Sequence, residues 1–207
     1  MKIHDISMLI NEKIITYPGD MEVKIHHIKN AEQDEWNLTG ITLGSHTGTH
    51  LDTPLHIADQ KPNIAEIDLK QCYGSALVLD FTEIPFGKSI SFENFDKKKL
   101  NNEVLHDQII LFKTINSKLG FRQFRDDWVF LSAEVAEFLV SKKIKAVGID
   151  ALTIGPRDTH EILLNDNLLI YEGLNLKKIH AGKYVFIGFP LKMETEGAPV
   201  RAVLVED

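Results

Sequence analysis

Cysteine is nearly missing. Cys72 is the single one in 207 residues, so no disulfide can form within the chain and a thiolate-rich metal site cannot be built. Cys72 itself reads as a small buried hydrophobe. Long apolar runs are missing too. No stretch approaches the ~18 residues of a membrane span. The opening MKIHDISMLINEKII puts Asp5, Asn11 and Glu12 where a secretory signal would be unbroken apolar. The expected location is therefore cytoplasmic, with no membrane partner. An excess of basic residues is also lacking: 23 Lys and Arg stand against 30 Asp and Glu, a formal net charge of −7. Nucleic-acid binding relies on clustered Lys and Arg, so no nucleic-acid partner is expected. The longest basic run, Lys97-Lys98-Lys99, adjoins Asp96 and reads as a solvated helix face. Repeats and low-complexity linkers are absent as well. With 43% hydrophobic and 26% charged residues, the chain has ordinary soluble composition, and its length suits one domain over residues 1–207.

What is present is a series of short runs rich in β-branched and aromatic residues, which predict strands. They are Lys2–Leu9, Met21–Ile28, Asn37–Leu43, Ser75–Phe81, Gln108–Phe112, Lys145–Ile149, Leu168–Tyr171, Tyr184–Phe189 and Arg201–Val205. Turn signals such as Pro18-Gly19-Asp20, Pro85-Phe86-Gly87 and Gly197-Ala198-Pro199 separate many of them. The clearest helix follows Ser132 as N-cap and runs over Ala133–Lys142, with Val135, Phe138 and Leu139 as its apolar stripe. Weaker helical patterns cover Phe92–Asn101 and Asp158–Asn165. Many strands and few helices predict a mixed α/β domain, sheet on sheet with helices outside.

The densest chemistry lies in His46-Thr-Gly-Thr-His50-Leu-Asp52-Thr-Pro-Leu-His56, which holds three of the nine histidines. Gly44, Gly48 and Pro54 exclude a continuous helix there. Extended backbone puts His46, His50, Asp52 and His56 on one face. A flat strand, at about 3.3 Å per residue, would still hold the His46 and His50 α-carbons ~13 Å apart. The segment must bend to bring them to one metal, and Gly48 is the residue best able to permit it. The spacer threonines offer hydroxyls to support the ligands. Imidazole and carboxylate without thiolate is the donor set of catalytic zinc or of Mn/Fe/Ni-type sites. The competing reading is separate hydrogen-bonding histidines in a turn; three on one face around an aspartate favour a metal.

Such a site needs donors from elsewhere. His160 follows the Gly155-Pro156 turn after an apolar strand, and Glu172 ends the apolar run Leu168–Tyr171 just before Gly173. Charged groups at the ends of buried strands are where catalytic residues tend to be mounted, although either residue alone also fits a structural role. His26-His27 points opposite ways on a strand and reads as surface. Trp36 reads as packing, with stacking on an aryl ring as its functional alternative.

Taken together, these stretches resemble the cyclase family, whose best-known enzymes are bacterial kynurenine formamidases. The resemblance rests on Thr16-Tyr17-Pro18-Gly19-Asp20, the His46–His56 segment, Val147-Gly148-Ile149-Asp150, His160, Glu172-Gly173-Leu174, Pro190-Leu191-Lys192 and Ala198–Leu204. It implies a swivelling β/β/α fold, a homo-oligomer of dimers or larger, and two divalent metal ions, zinc first with manganese as the other fit. It implies that His46 and His50 bind one metal, His160 the other, and Asp52 and Glu172 both. His56 is then the acid–base residue and Tyr17 contacts the substrate. The implied activity is metal-dependent hydrolysis of an amide C–N bond by a metal-activated hydroxide, with an N-formyl arylamine such as N-formylkynurenine of tryptophan catabolism as the small-molecule substrate. Opening of a cyclic amide or lactone, and a non-catalytic metal-binding domain, are the alternatives. The chain departs from the formamidases at Tyr17, where a tryptophan is expected, and at Glu161, where a second histidine often stands.

Overall fold

The computed structural model describes residues 1–119, 121 and 123–206. Its strands are β1 (Lys2–Asp5), β2 (Lys24–Lys29), β3 (Leu38–Thr42), β4 (His50–Asp52), β5 (Tyr73–Phe81), β6 (Ser89–Ile90), β7 (Ile109–Thr114), β8 (Phe130–Leu131), β9 (Ala146–Ile149), β10 (Leu169–Glu172), β11 (Gly182–Ile187), β12 (Gly197–Pro199) and β13 (Val203–Glu206). The helices are α1 (Ala31–Asp34), α2 (Phe92–Lys97), α3 (Asn116–Leu119), α4 (Ala133–Ser141) and α5 (Arg157–Asn165). All nine expected strands are found, shifted by a few residues at their ends. The four unforeseen strands, β4, β6, β8 and β12, have only two or three residues each, too short for a period to show.

Nine strands form one mixed sheet in the order β1-β13-β11-β5-β7-β9-β10-β4-β12. Its centre, β5-β7-β9-β10, is parallel. Those segments read as near-continuous apolar runs because both of their faces are covered. Alternate residues divide between two cores. Leu77, Leu79 and Phe81 of β5, Phe112 of β7 and Ile149 of β9 pack with Phe95 of α2, Val135 and Leu139 of α4, and Leu163 of α5. Val78, Leu111 and Tyr171 face the other way and meet Leu51 of β4, Ala198 of β12, Phe186 of β11 and Leu204 of β13.

That second core contains strands from both ends of the sheet, which requires the sheet to curl. Connectivity demands the same. Only three residues separate β12, at one end of the order, from β13, next to the other end. Four peptide steps span at most about 14 Å, so the ends lie close, and β-bridge Pro190↔Val200 and the bond from Val200 N–H to Thr49 O (2.8 Å) close the gap. The expected sheet-on-sheet layering with outer helices is thus achieved by one continuous sheet turned upon itself.

Helix α4 begins on Ser132, whose hydroxyl accepts from Val135 N–H. Helix α2 stops at Lys97, short of the expected Asn101, because Lys99 takes a left-handed φ of 58°. The basic run there is solvated as expected, with Lys97 on Glu93 and Lys98 on Glu83. Strands β2 and β3 form a separate antiparallel hairpin, mostly exposed and carrying Ile28 and Ile41 outward. Among the described residues no helix is long and apolar enough to cross a membrane.

Candidate metal centre

Sheet register assembles the donors. Strand β10 pairs antiparallel with β4 so that Glu172 stands directly opposite His50 and Ile170 opposite Asp52. Residues opposite each other share a face, and Asp52 follows His50 by one strand period, so all three side chains project to one side. Gly48 adopts φ +70°, the bend required of it, and brings the His46 and His50 ring centroids to 5.0 Å. After Asp52 the chain leaves the strand. Pro54–His56 is a 3-10 turn, not the continued extended backbone expected there, because Pro54 supplies no N–H to a ladder and favours the first position of a helical turn. The turn still returns the His56 ring to 4.4 Å from that of His46 and 5.8 Å from that of His160. His160 arrives from the first turn of α5, which follows Pro156.

The expected donors are therefore neighbours. His46 Nδ1 lies 2.9 Å from Asp52 Oδ1, His50 Nε2 lies 3.4 Å from both Asp52 Oδ1 and Glu172 Oε2, and His160 Nε2 lies 3.2 Å from Glu172 Oε1. Two donor groups share Asp52: His46, Asp52 and His56 form one, and His50, Asp52 and Glu172 the other, with donor atoms within 4.8 Å of one another in each. His56 thus sits among the donors instead of apart from them.

The burial pattern tests whether a cation fits. Among the described residues, the fully buried Asp52 meets no backbone or hydroxyl donor; imidazoles of His46 and His50 are what approach its oxygens, and His50 Nε2 is likewise buried without an aligned partner. A buried carboxylate lacking such donors is strongly unfavourable unless positive charge compensates it, from protonated imidazoles or from a bound cation. Nitrogen and oxygen donors of this kind suit a divalent ion, so the residues fit the group.

Electrostatics say the same. Burial pulls His46 and His160 down, but Asp52, with Glu172 and Glu196, outweighs it at His46, and Glu172 with Asp52 at His160; both are pushed up to about 9. His50 is also raised against its burial by Asp52 and Glu172. Burial raises Asp52, but His50 and His46 overcome it and hold the carboxyl below its usual range. Glu172 is lowered too, by His160 and His50 against burial and the Asp52 charge. His56 differs: enclosure by the site and the charges of His46 and His160 lower it against an opposing pull from Asp52. The centre favours positive charge, and His56 is its one lowered imidazole.

The threonines act on backbone, not on ligands directly. Thr49 Oγ1 donates to Gly173 O (2.6 Å) and accepts from Met8 N–H, and Thr53 Oγ1 donates to Glu196 O. Glu172 is further fixed by Ile154 N–H. A cavity of about 230 Å³ opens over the donors, lined by Tyr17, Asp20, Leu152 and Thr153 among others. Tyr17 sits there because Pro18 and Gly19 (φ +99°) make a turn closed by Asp20 N–H on Tyr17 O. Its ring stands edge-on to Phe124 at 5.5 Å. Trp36 is exposed, carries Lys29 over its ring and lies outside the cavity lining. His26 and His27 are exposed on β2.

Glu196 is not foreseen in the sequence, and Asp150 enters there only within a family motif, with no role. Glu196 Oε1 lies 3.2 Å from His46 Nε2 and accepts from Ser45 Oγ at 2.6 Å; nothing in Glu194-Thr195-Glu196 tells which acid faces inward. Asp150, fully buried at the end of β9, accepts from Thr114 N–H, Thr114 Oγ1 and Ser117 N–H. It fastens the start of α3 and takes no part in the donor cluster.

The chain as a whole is similar to known proteins. Residues 4–156 match the family described as "Putative cyclase". The kynurenine formamidase of Bacillus cytotoxicus is 30% identical, over 97% of this chain and 95% of that enzyme. A solved structure described as a predicted metal-dependent hydrolase from Bacillus stearothermophilus is 30% identical with a TM-score of 0.84, covering 98% of this chain and 97% of the other. Isatin hydrolase A from Labrenzia aggregata shares the fold at 20% identity, with a TM-score of 0.88 over 100% of this chain and 94% of its own. The family match over most of the chain, joined to near-complete alignment at 30% identity, shows that this protein belongs to the cyclase family.

Proposed function

We propose that this protein is a metal-dependent hydrolase that cleaves the amide C–N bond of an N-formyl arylamine, with N-formylkynurenine as substrate and formate and kynurenine as products of tryptophan catabolism. The observation that carries the reading is Asp52: buried, approached among the described residues by imidazole nitrogens and by no backbone or hydroxyl donor, and shared by two donor groups beneath an open cavity. Relatives named kynurenine formamidase support the substrate.

His46, His50, Asp52, His160 and Glu172 would hold two divalent cations, zinc by donor type, with manganese as the other fit. Such ions, when bound, polarise a carbonyl and bring the pKa of water to about 7. The remaining work falls to the chain. Gly48 O and Pro156 O orient the rings of His50 and His160 from behind. Asp52 and Glu172 keep the floor of the cavity anionic. His56, beside the donors, takes a proton from the attacking water and delivers it to the leaving amine nitrogen. One water is consumed, and formate and the free arylamine leave. Tyr17 offers an aromatic wall to the aryl ring.

The functional unit is one domain over residues 1–207, supported by a sheet that takes strands from both ends of the chain. A homo-oligomer is supported by the β2–β3 hairpin, because a two-stranded ribbon with Ile28, Trp36, Leu38 and Ile41 exposed is marginal alone. The composition and charge support a cytoplasmic place with small-molecule partners. Metal analysis of the purified protein, followed by formate release from N-formylkynurenine with the ion restored, tests the reading. Release no faster than in a metal-stripped control rejects the substrate; turnover of a cyclic arylamide instead moves the activity to ring opening. A folded protein that binds metal and turns over neither is a binding domain.

A further inference from the structure

Each of the three candidate ligand histidines turns one ring nitrogen toward the site and has the other held from behind. His50 Nδ1–H donates to Gly48 O at 2.9 Å, leaving Nε2 between the carboxylates. His160 Nδ1–H faces Pro156 O at 3.2 Å, with Nε2 on Glu172. His46 is reversed. Its Nδ1 faces Asp52, its Nε2 faces Glu196, and the outer acceptor is a carboxylate where the other two have a peptide carbonyl.

We infer that Glu196 is a positioning residue for His46. It accepts the Nε2–H, selects the tautomer whose Nδ1 lone pair points at the cation site, and places negative charge behind the imidazole. A carboxylate in that role fixes ring orientation and strengthens the ligand nitrogen.

Glu196 is itself held for the task. Ser45 Oγ donates to the same oxygen, Oε1, at 2.6 Å, and the Glu196 carbonyl accepts from both Thr53 N–H and Thr53 Oγ1 at 2.9 Å. The next residue completes the clamp. A Cβ on Gly197 would stand 2.8 Å from His46 Cε1, so the ring rests directly on the β12 backbone. Because Glu196 and Asp52 lie at opposite nitrogens of one ring, Glu196 acts through His46, without itself touching a cation held beside Asp52.

The inference rests on the cation-site reading but not on the substrate. Zinc affinity is measured by competition with a chromophoric chelator for the full-length protein and for Glu196→Ala and Glu196→Gln. Imidazole 15N shifts of the zinc-loaded protein report which His46 nitrogen is coordinated. The expected results are a weakening of roughly 10–100-fold for Glu196→Ala, a smaller one for Glu196→Gln, which keeps an acceptor oxygen, and coordination through Nδ1 with Nε2 protonated. Affinity within twofold of the parent in Glu196→Ala overturns the inference. So does a loss as large as that of Asp52→Ala, which would make Glu196 a direct ligand, or coordination through Nε2. Parent protein that binds no zinc overturns both this and the cation site. Zinc binding without formate release overturns the substrate alone.

Discussion

Gly173 couples the metal centre to the stability of the fold, and Gly173→Ala measures how tightly. Gly173 follows Glu172 with φ +65°. A Cβ there would collide with the carbonyl oxygen of Gly48 and stand 2.9 Å from its carbon. The left-handed conformation costs an L-residue about 1–2 kcal/mol, and forcing two packed segments apart costs about 1–3 kcal/mol more. The sum, about 2–5 kcal/mol, corresponds to a fall in melting midpoint of roughly 4–20 °C for a chain of this size. The displaced carbonyl is the acceptor that orients His50 Nδ1–H, so metal affinity should fall with it, by roughly 10–100-fold. Gly19→Ala is the control: φ is also positive, but among the described residues no atom lies within 4 Å of the added Cβ, leaving only the conformational cost. Calorimetric melting and chelator competition report both effects. If Gly173→Ala matches Gly19→Ala in melting midpoint and in metal affinity, the close approach of these two loops does not set the site geometry.

Asp52→Ala removes the carboxylate common to both donor groups and should abolish stoichiometric metal binding; full retention by elemental analysis would overturn the ligand assignment. His56→Ala should keep its metal while turnover falls by about 10²–10⁴-fold, and loss of metal in this variant would make His56 a ligand. Burial, opposed by the Thr114 and Ser117 donors, pushes the Asp150 carboxyl from 3.8 to about 6. A folded-state pKa above the unfolded one gives a contribution that is complete below about pH 4 and lost as pH rises through 6, about 3 kcal/mol in all. A carboxyl-carbon NMR titration of Asp150 with its midpoint at or below 4 would refute this.

Local chemistry is what a sequence writes plainly. The parallel strands β5, β7, β9 and β10 were legible because burial on both faces demands unbroken apolar runs, and α4 because Ser132 and a one-sided stripe mark it. The need for a bend at Gly48 followed from strand arithmetic on His46 and His50. The family likeness added the roles of His160 and Glu172, which no local signal assigns. Tertiary structure alone decided the rest. Strands β4 and β12 are too short to show a period, yet their register puts Glu172 opposite His50 and Gly197 beneath His46. The curl of the sheet follows from joining β12 to β13 through three residues, a constraint visible only once the strand order is known. Glu196 became a partner of His46 by the same route: which of several nearby acids faces inward depends on pairing across 150 residues, and pairing over that distance is settled by the free energy of the whole fold, not by any neighbouring residue.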